Sequence, residues 1–411
     1  MPSLRLLALA LSVAAVPAAA APETPLSYAF SAFHGPPVFT SGQSLKAASA
    51  PTETLRATPR LRSQKPIFTA AELGRGGDTT VTVLIDESGG TGKGYDRLIV
   101  DANNNEDLTD DPVLRSVHRR GHLEFGPLAL RIEVEGRCRL YHAKVEQFDT
   151  FEGAERRPKP EFRLKSLGYY TGAARFGTKR HPVVLVDANA NGLYGEAFRE
   201  FDPEGRKSGD MLLVDANHDG RFDQGGIIPK ETLHCGKCIV VDGRFYELSL
   251  RPDGSAMSVT PARVRLASLK SSYPRFSLML KSPDGVLPIE GRNGVAQVPP
   301  GQYQVMAWSI ERQAGSNKWS VMGSSPGIGA PELKVSEGSD SSFQLKSPLK
   351  AKVSADRSGP PGNFNFQLQL TTASGENIAD VNVNGRRPAE PRLKLLDEGG
   401  NEIADLKFHY G

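Results

Sequence analysis

The sequence predicts a mainly β, multidomain protein, built of short-strand sandwiches or barrels with Asp/Asn loops at strand ends. Three observations predict it. Short apolar or alternating runs recur along the chain, separated by turn residues. Glycine (42) and proline (30) are abundant, as a chain of many tight turns requires. The phrase Val-Asp-Ala-Asn is written three times, at Val100, Val186 and Val214, each time straight after an apolar run. No amphipathic helical pattern of useful length is found.

The chain of 411 residues opens with Arg5, an apolar run and Ala18-Ala19-Ala20. That is the layout of a secretory signal peptide over residues 1–20, cut after Ala20. The expected location is therefore secreted or periplasmic. No later run is long enough for a membrane span. A formal net charge of +3 is nearly neutral at this length and gives no reason to expect a nucleic-acid partner.

Residues 21–75 are rich in Pro, Ser, Thr and Ala and read as an extended or poorly ordered leader, with a strand near Tyr28 to Phe39. Residues 76–149 form a β region carrying the first Asp/Asn loop, after a hairpin from Thr79. Strands are expected from Gly121 to Glu135 and from Arg137 to Gln147. Residues 150–269 hold the second and third loops, after the runs Pro182–Val186 and Met211–Val214. Cys238 to Leu250 reads as a hairpin turning at Asp242-Gly243. Residues 270–346 are expected to be a separate β-sandwich-like domain, signed by Val298-Pro-Pro-Gly301-Gln-Tyr303-Gln-Val305. Residues 347–411 read as a C-terminal β domain, with an alternating run from Phe364 and a turn at Asn384-Gly385.

The loops carry the chemistry. Calcium takes six to eight oxygen ligands in a flexible shell, and Asp/Asn at alternate positions with Gly at the bend supplies several from one turn. The third loop places Asp215, Asn217 and Asp219 at positions 1, 3 and 5, Gly220 at 6, the Arg221 carbonyl at 7 and Asp223 at 9. Position 12 is Gly226, so the bidentate Glu of a helix-loop-helix calcium hand is missing. The first loop offers Asp101, Asn103, Asn105 and Asp107, with Asp110 and Asp111 beyond, but Glu106 stands at position 6, where positive φ is costly. The second offers Asp187, Asn189 and Asn191, to be completed by Glu196, Glu200 or Asp202. By spelling the third is the strongest. Loops two and three start 28 residues apart, an offset that lets them lie side by side at one sheet end. The competing reading of each is a plain β-turn, since Asn, Asp and Gly favour turns on their own account.

These loops resemble Val-Asp-Ala-Asn-x-Asn/Asp segments of exported bacterial proteins from planctomycete- and acidobacterium-like sources. They are similar in spelling to dockerin and thrombospondin type 3 calcium loops, which lack the strand context. The resemblance covers roughly residues 80–260 and implies calcium binding. The Pro-Pro-Gly-Gln-Tyr-Gln-Val phrase resembles transthyretin-like or carboxypeptidase-regulatory-type sandwiches.

His234-Cys235-Gly-Lys-Cys238 is the second chemical feature. Its readings are a short structural disulfide between Cys235 and Cys238, a reduced or metal-binding thiol pair, and a redox couple. The strand expected after Cys238 disfavours the last, because no helix dipole is there to stabilise a thiolate. Cys138 is expected to be a buried free thiol, with zinc shared by Cys235, Cys238 and His234 as the alternative. Ser88-Gly-Gly-Thr-Gly-Lys93 looks like a phosphate loop, but Glu87 stands where its first Gly belongs and Gly94 follows Lys93, so a hairpin loop is expected. Arg115 to His122 reads as a solvated basic turn.

The functional expectation is a calcium-stabilised binding or structural β protein without catalytic activity. Its partner is a protein or polysaccharide ligand. The alternatives are a glycan-active hydrolase, which needs two carboxylates converging in a groove, and an accessory of a thiol-redox system, which needs an exposed Cys235 with a lowered pKa.

Overall fold

The computed structural model describes residues 22–32, 35–38, 40–92, 94–119, 122–152, 157–198, 209–223, 228–324, 332–338, 340–346, 349–357 and 363–410. The expected signal peptide, Glu200, Asp202 and Gly226 lie outside these residues. Among them there is no helix, and the chain is all β.

Two pairs of sheets carry the loops. In the first pair, the strands Ile67–Glu72, Thr80–Asp86, Arg97–Val100 and Leu114–Arg115 form one sheet in that order. The strands Gln43–Leu45, Arg157–Ser166, Arg137–Glu152, His122–Val134 and Val117–Arg119 form the other. Val83, Ile85, Leu98, Phe125, Val145 and Leu164 meet in the core between them. Thr80–Asp86 is buried on both faces, because Phe68, Leu84, Ile99 and Leu108 form a second cluster on its other side. That accounts for the consecutive Val83, Leu84 and Ile85, the pattern of a strand with no wet face.

In the second pair, Thr232–His234, Met211–Val214, Lys179–Val186, Gly168–Phe176 and Ser27–Phe30 form one sheet. It packs on Thr24–Pro25, Ala256–Pro261, Arg244–Leu250 and Cys238–Val241 through Tyr170, Leu185, Leu212, Ile239 and Met257. A large sheet follows, running from Ser341–Ser342 through Ala267–Lys270, Val295–Val298, Gly285–Arg292, Arg275–Ser282, Gly301–Ala314, Asn317–Ser324, Asn377–Val383 and Phe364–Thr371 to Lys350–Arg357. Arg392–Leu396 and Glu402–Lys407 make a separate two-stranded hairpin.

The structure corrects the domain boundaries. The stretch 21–75 is not a loose leader: four of its segments pair as strands, Thr24 against Met257, Tyr28 against Tyr170, Leu45 against Phe162 and Phe68 against Leu84. Three of those partners lie far along the chain, so no local hairpin signal betrays the pairing. The 149/150 boundary cuts the strand Arg137–Glu152, and the 269/270 boundary cuts Ala267–Lys270. Asn377–Val383 pairs with Asn317–Ser324, so the third and fourth blocks share one sheet. Val240 also lies in the core of that sheet, across the expected boundary. Composition and turns mark where the chain bends, not what it pairs with.

Hairpin turns fall where expected. Asp242 and Gly243 take φ of 50° and 71°, and Asn384 and Gly385 take 53° and 78°, as two-residue turns between twisted strands demand. The stretch read as a basic turn is two short strands, Leu114–Arg115 and Val117–Arg119, with Arg115 paired to Asp96 at 3.2 Å.

Candidate metal loops

All three loops follow one hydrogen-bonding rule. The first Asp is buried and accepts the backbone N–H groups of positions 5 and 6. Asp101 accepts from Asn105 (3.0 Å) and Glu106 (2.8 Å). Asp187 accepts from Asn191 (3.3 Å) and Gly192 (2.7 Å), with Ala190 added at 2.6 Å. Asp215 accepts from Asp219 (3.2 Å) and Gly220 (3.1 Å). The side chain at position 5 then accepts the N–H of position 7: Asn105 from Asp107, Asn191 from Leu193, Asp219 from Arg221. Positions 4 and 6 take positive φ every time, at Asn104 and Glu106, Ala190 and Gly192, His218 and Gly220. Glu106 thus adopts the conformation its side chain disfavours. Its N–H is held by Asp101, its carbonyl accepts the Arg56 N–H at 2.7 Å, and its carboxylate pairs with Arg56 at 3.1 Å.

A second carboxylate completes each loop from the segment leading into the next antiparallel strand. Asp111 accepts the N–H of Ala102 (3.1 Å), Asp210 that of Ala188 (3.1 Å), and Glu231 that of Ala216 (3.1 Å). Asp210 also takes the N–H of Glu196, and Glu231 those of Asn217 and Asp223. Asp210 and Glu231 were not foreseen. Each stands directly before a short strand that runs beside the loop, so their place is a matter of register.

The side chains expected to bind metal gather unevenly. In the first loop the amides of Asn103 and Asn105 meet on Asp110 Oδ2, at 3.2 and 3.0 Å. In the second, those of Asn189 and Asn191 meet on Glu196 Oε2, at 3.0 and 2.6 Å. Both Asp110 and Glu196 are tenth in their loops. In the third loop Asn217 reaches Asp219 at 3.2 Å. Asp107 is turned to the Thr109 N–H and hydroxyl, while Arg221 and Asp223 lie on the exposed rim.

The donor set suits a hard cation. It is oxygen-rich, and it leaves buried oxygens without hydrogen-bond partners, Asn189 Oδ1 in the second loop and Asp111 Oδ2 in the first. A buried acceptor left unsatisfied costs free energy that a cation would recover. Burial pushes the Asp111 carboxyl up to about 6, helped by Asp101, Asp110 and Asp107. Asp187 and Asp210 are both fully enclosed, and burial, together with their mutual repulsion, raises Asp210 far above the ordinary carboxylate range.

Placement separates the loops. The strands Lys179–Val186 and Met211–Val214 are antiparallel, with Val186 opposite Met211 and Val183 opposite Val214. Loops two and three therefore lie at opposite ends of the sheet, not side by side. The neighbour of the second loop is instead the first. The Gly74 N–H donates to the Asn191 carbonyl at 2.7 Å, and Asn104 donates to the Asp78 carbonyl at 3.1 Å. One turn, 73–78, thus touches both. The second loop also joins the two pairs of sheets, because the Tyr141 hydroxyl donates to Asp187 at 2.8 Å.

The remaining features take structural readings. Cys138, Cys235 and Cys238 are free thiols, so the structure has no Cys235–Cys238 disulfide. Cys138 is exposed, not buried, on the strand Arg137–Glu152. Cys235 is buried in the core between the second pair of sheets, and its thiol is raised first by burial and then by Asp210. The glycine-rich hairpin closes on its own acid: Glu87 accepts from the Gly92 N–H, Ser63 and Thr91, filling the space a phosphate would need. His122, Glu124 and Glu146 stand within 4.8 Å of one another. Lys144 Nζ lies among them, 3.0 Å from Glu124 and 2.7 Å from Glu146, and neutralises the pair.

Among the described residues no helix is long and apolar enough to cross a membrane. Comparison with known proteins finds no protein-family model, no curated protein and no solved structure that matches this chain.

Proposed function

We propose that the chain is an exported, calcium-stabilised β protein that serves as a binding or structural module rather than as a catalyst. The observation that carries this reading is the paired convergence of Asn103 and Asn105 on Asp110, and of Asn189 and Asn191 on Glu196, with Asn189 Oδ1 buried and unpartnered beside it. A plain turn needs the Asp cap but not a third carboxylate on the outer side. Calcium would be held by Asp187, Asn189, Asn191 and Glu196, and by Asp101, Asn103, Asn105 and Asp110, with the Asn amides turned so that their oxygens rather than their N–H groups face the ion. The exposed loop of Asp215, Asn217 and Asp219 makes a weaker site. The cation's contribution is positive charge at enclosed carboxylates, and so rigidity where the two pairs of sheets meet.

The thiol-redox alternative loses its requirement, since Cys235 is buried with a raised pKa. For the hydrolase alternative, the pair Glu124 and Glu146, away from the loops, is bridged by Lys144.

The test is a thermal melt in chelator and in calcium. A ligand that binds only the folded state stabilises by RT ln(1 + [L]/Kd), which gives roughly 1.4 to 2.7 kcal/mol per site at about 10 mM for sites of about 10⁻³ to 10⁻⁴ M. Equal melting temperatures in chelator, magnesium and calcium sink the reading.

A further inference from the structure

The stretch 349–410 is built unlike the rest of the chain. Lys350–Arg357 is the last strand of the large sheet and has no neighbour on its outer side among the described residues. Its register with Phe364–Thr371 sorts the side chains by face. Lys350, Lys352, Ser354 and Asp356 stand opposite Thr371, Gln369, Gln367 and Asn365, a wholly polar face. Ala351, Val353 and Ala355 stand opposite Leu370, Leu368 and Phe366, an apolar one. The hairpin of Arg392–Leu396 and Glu402–Lys407 covers only part of that apolar face. Between them runs a groove of about 1120 Å³, lined by Phe366, Leu368, Leu370, Leu393, Leu406 and Phe408.

The acids along this groove are already paired. Asp380 pairs with Arg387 at 3.2 Å, and Asp405 accepts from Arg392 Nε at 3.0 Å. The edge strand is different. Among the described residues Lys350, Lys352, Asp356 and Arg357 form no ion pair, and Lys350 Nζ reaches only the Ala373 carbonyl, at 3.5 Å. Leu349 and Val353 are exposed on the same strand and its approach, Val353 by 43%. An open edge with exposed apolar residues is a template for another strand.

We infer that the strand is the seat of a second copy of this chain, joined edge to edge in a symmetric dimer. The sequence of the edge is self-complementary. Two antiparallel copies centred on Val353 put Lys350 opposite Asp356 twice, Ala351 opposite Ala355 twice and Lys352 opposite Ser354 twice, with Val353 on the twofold axis. Opposite charges and small apolar pairs thus meet across the joint, as cross-strand pairing and an isologous interface require. A two-residue shift toward the N-terminus sets Lys352 against its own copy. A one-residue shift turns the apolar face against the polar one. In the centred register the apolar faces of both copies run into one continuous floor.

The test is the mass of the full chain by sedimentation across about 1 to 100 µM, with chelator and with calcium. A dimer is expected in both. Asp356→Lys sets lysine opposite lysine in both former ion pairs and raises the dimer Kd by about tenfold or more. Adding Lys350→Asp restores the opposite-charge pairs and the dimer, a rescue that a mere folding defect does not give. Val353→Cys in a Cys138→Ser background crosslinks on oxidation, because directly opposed residues stand about 4.5 to 5.5 Å apart at Cα, within disulfide reach. A chain that stays monomeric at every concentration overturns the inference, whatever else the groove binds. So does a dimer whose Kd ignores Asp356→Lys.

Discussion

The second and third Asp/Asn loops use the same bonds in opposite surroundings. Asp187, Ala188, Ala190 and Gly192 are buried, and Tyr141 reaches in from a strand of the other sheet pair. Asn217, His218, Asp219 and Gly220 are exposed, and only Asp215 is tucked in. The third loop has more carboxylates in register and reads better as a calcium site. The second has fewer, yet a remote Asp210 and a tenth-position Glu196 complete it. Ligand spelling therefore ranks the loops by local charge. What each is worth to the molecule depends on enclosure, which is set by strand pairing.

The largest test of that difference is Asp187→Ala. It strips a partner from the buried N–H groups of Ala190 and Gly192, the half-buried one of Asn191 and the buried Tyr141 hydroxyl. A loss of roughly 3 to 5 kcal/mol in urea unfolding is expected, because buried donors left unpaired forfeit their desolvation cost. A loss no greater than that of Asp215→Ala breaks the comparison.

The calcium response comes next. Glu196→Gln should remove more of the calcium-induced gain in melting temperature than Asp219→Asn does, out of a gain of roughly 1.4 to 2.7 kcal/mol per site. The reverse order, measured by calorimetry in chelator and in calcium, makes the exposed loop the dominant site. In chelator alone, Asp215→Ala should cost only about 1 kcal/mol, since the N–H groups of Asp219 and Gly220 stand at the surface and water replaces the lost acceptor.

The smallest effect lies away from both loops. Burial alone would raise Glu87, but the Gly92 N–H, Ser63 and Thr91 outweigh it and bring the carboxyl down to about 2. A depressed carboxyl contributes stability that is complete above its ordinary value near 4.5 and lost as pH falls toward 2. Glu87→Gln should flatten that part of the acid melt and leave the calcium response intact. A variant that changes the calcium response ties the hairpin to the loops.

Much of this was legible because it is local. The cap from position 1 to positions 5 and 6 follows from Asp and Gly in one turn, and the hairpins at Asp242-Gly243 and Asn384-Gly385 follow from residues that tolerate positive φ. The remote carboxylates Asp210 and Glu231 were not, since they stand 23 and 16 residues beyond their loops' first Asp. No fixed spacing exists to search for. They become findable only once the antiparallel register is known. A strand was expected near Tyr28, and Ser27–Phe30 is one, but the same blindness hid its partner and the strands at Thr24 and Gln43, whose hydrogen bonds come from distant edges. It also misplaced the third loop beside the second, because sequence order does not reveal that two successive strands run in opposite directions.

The pairing of Thr24 with Met257 sets a clock. A chain grows at roughly 5 to 20 residues per second, so the first strand waits about ten to fifty seconds for its partner to be made. During that interval Thr24–Pro25 has no sheet to join, and Ser27–Phe30 waits for Gly168–Phe176. Such a segment must tolerate solvent and avoid other edges while it waits. Its Pro-, Ser- and Thr-rich composition, a poor advertisement for a strand, gives it little apolar surface to bury against a wrong edge.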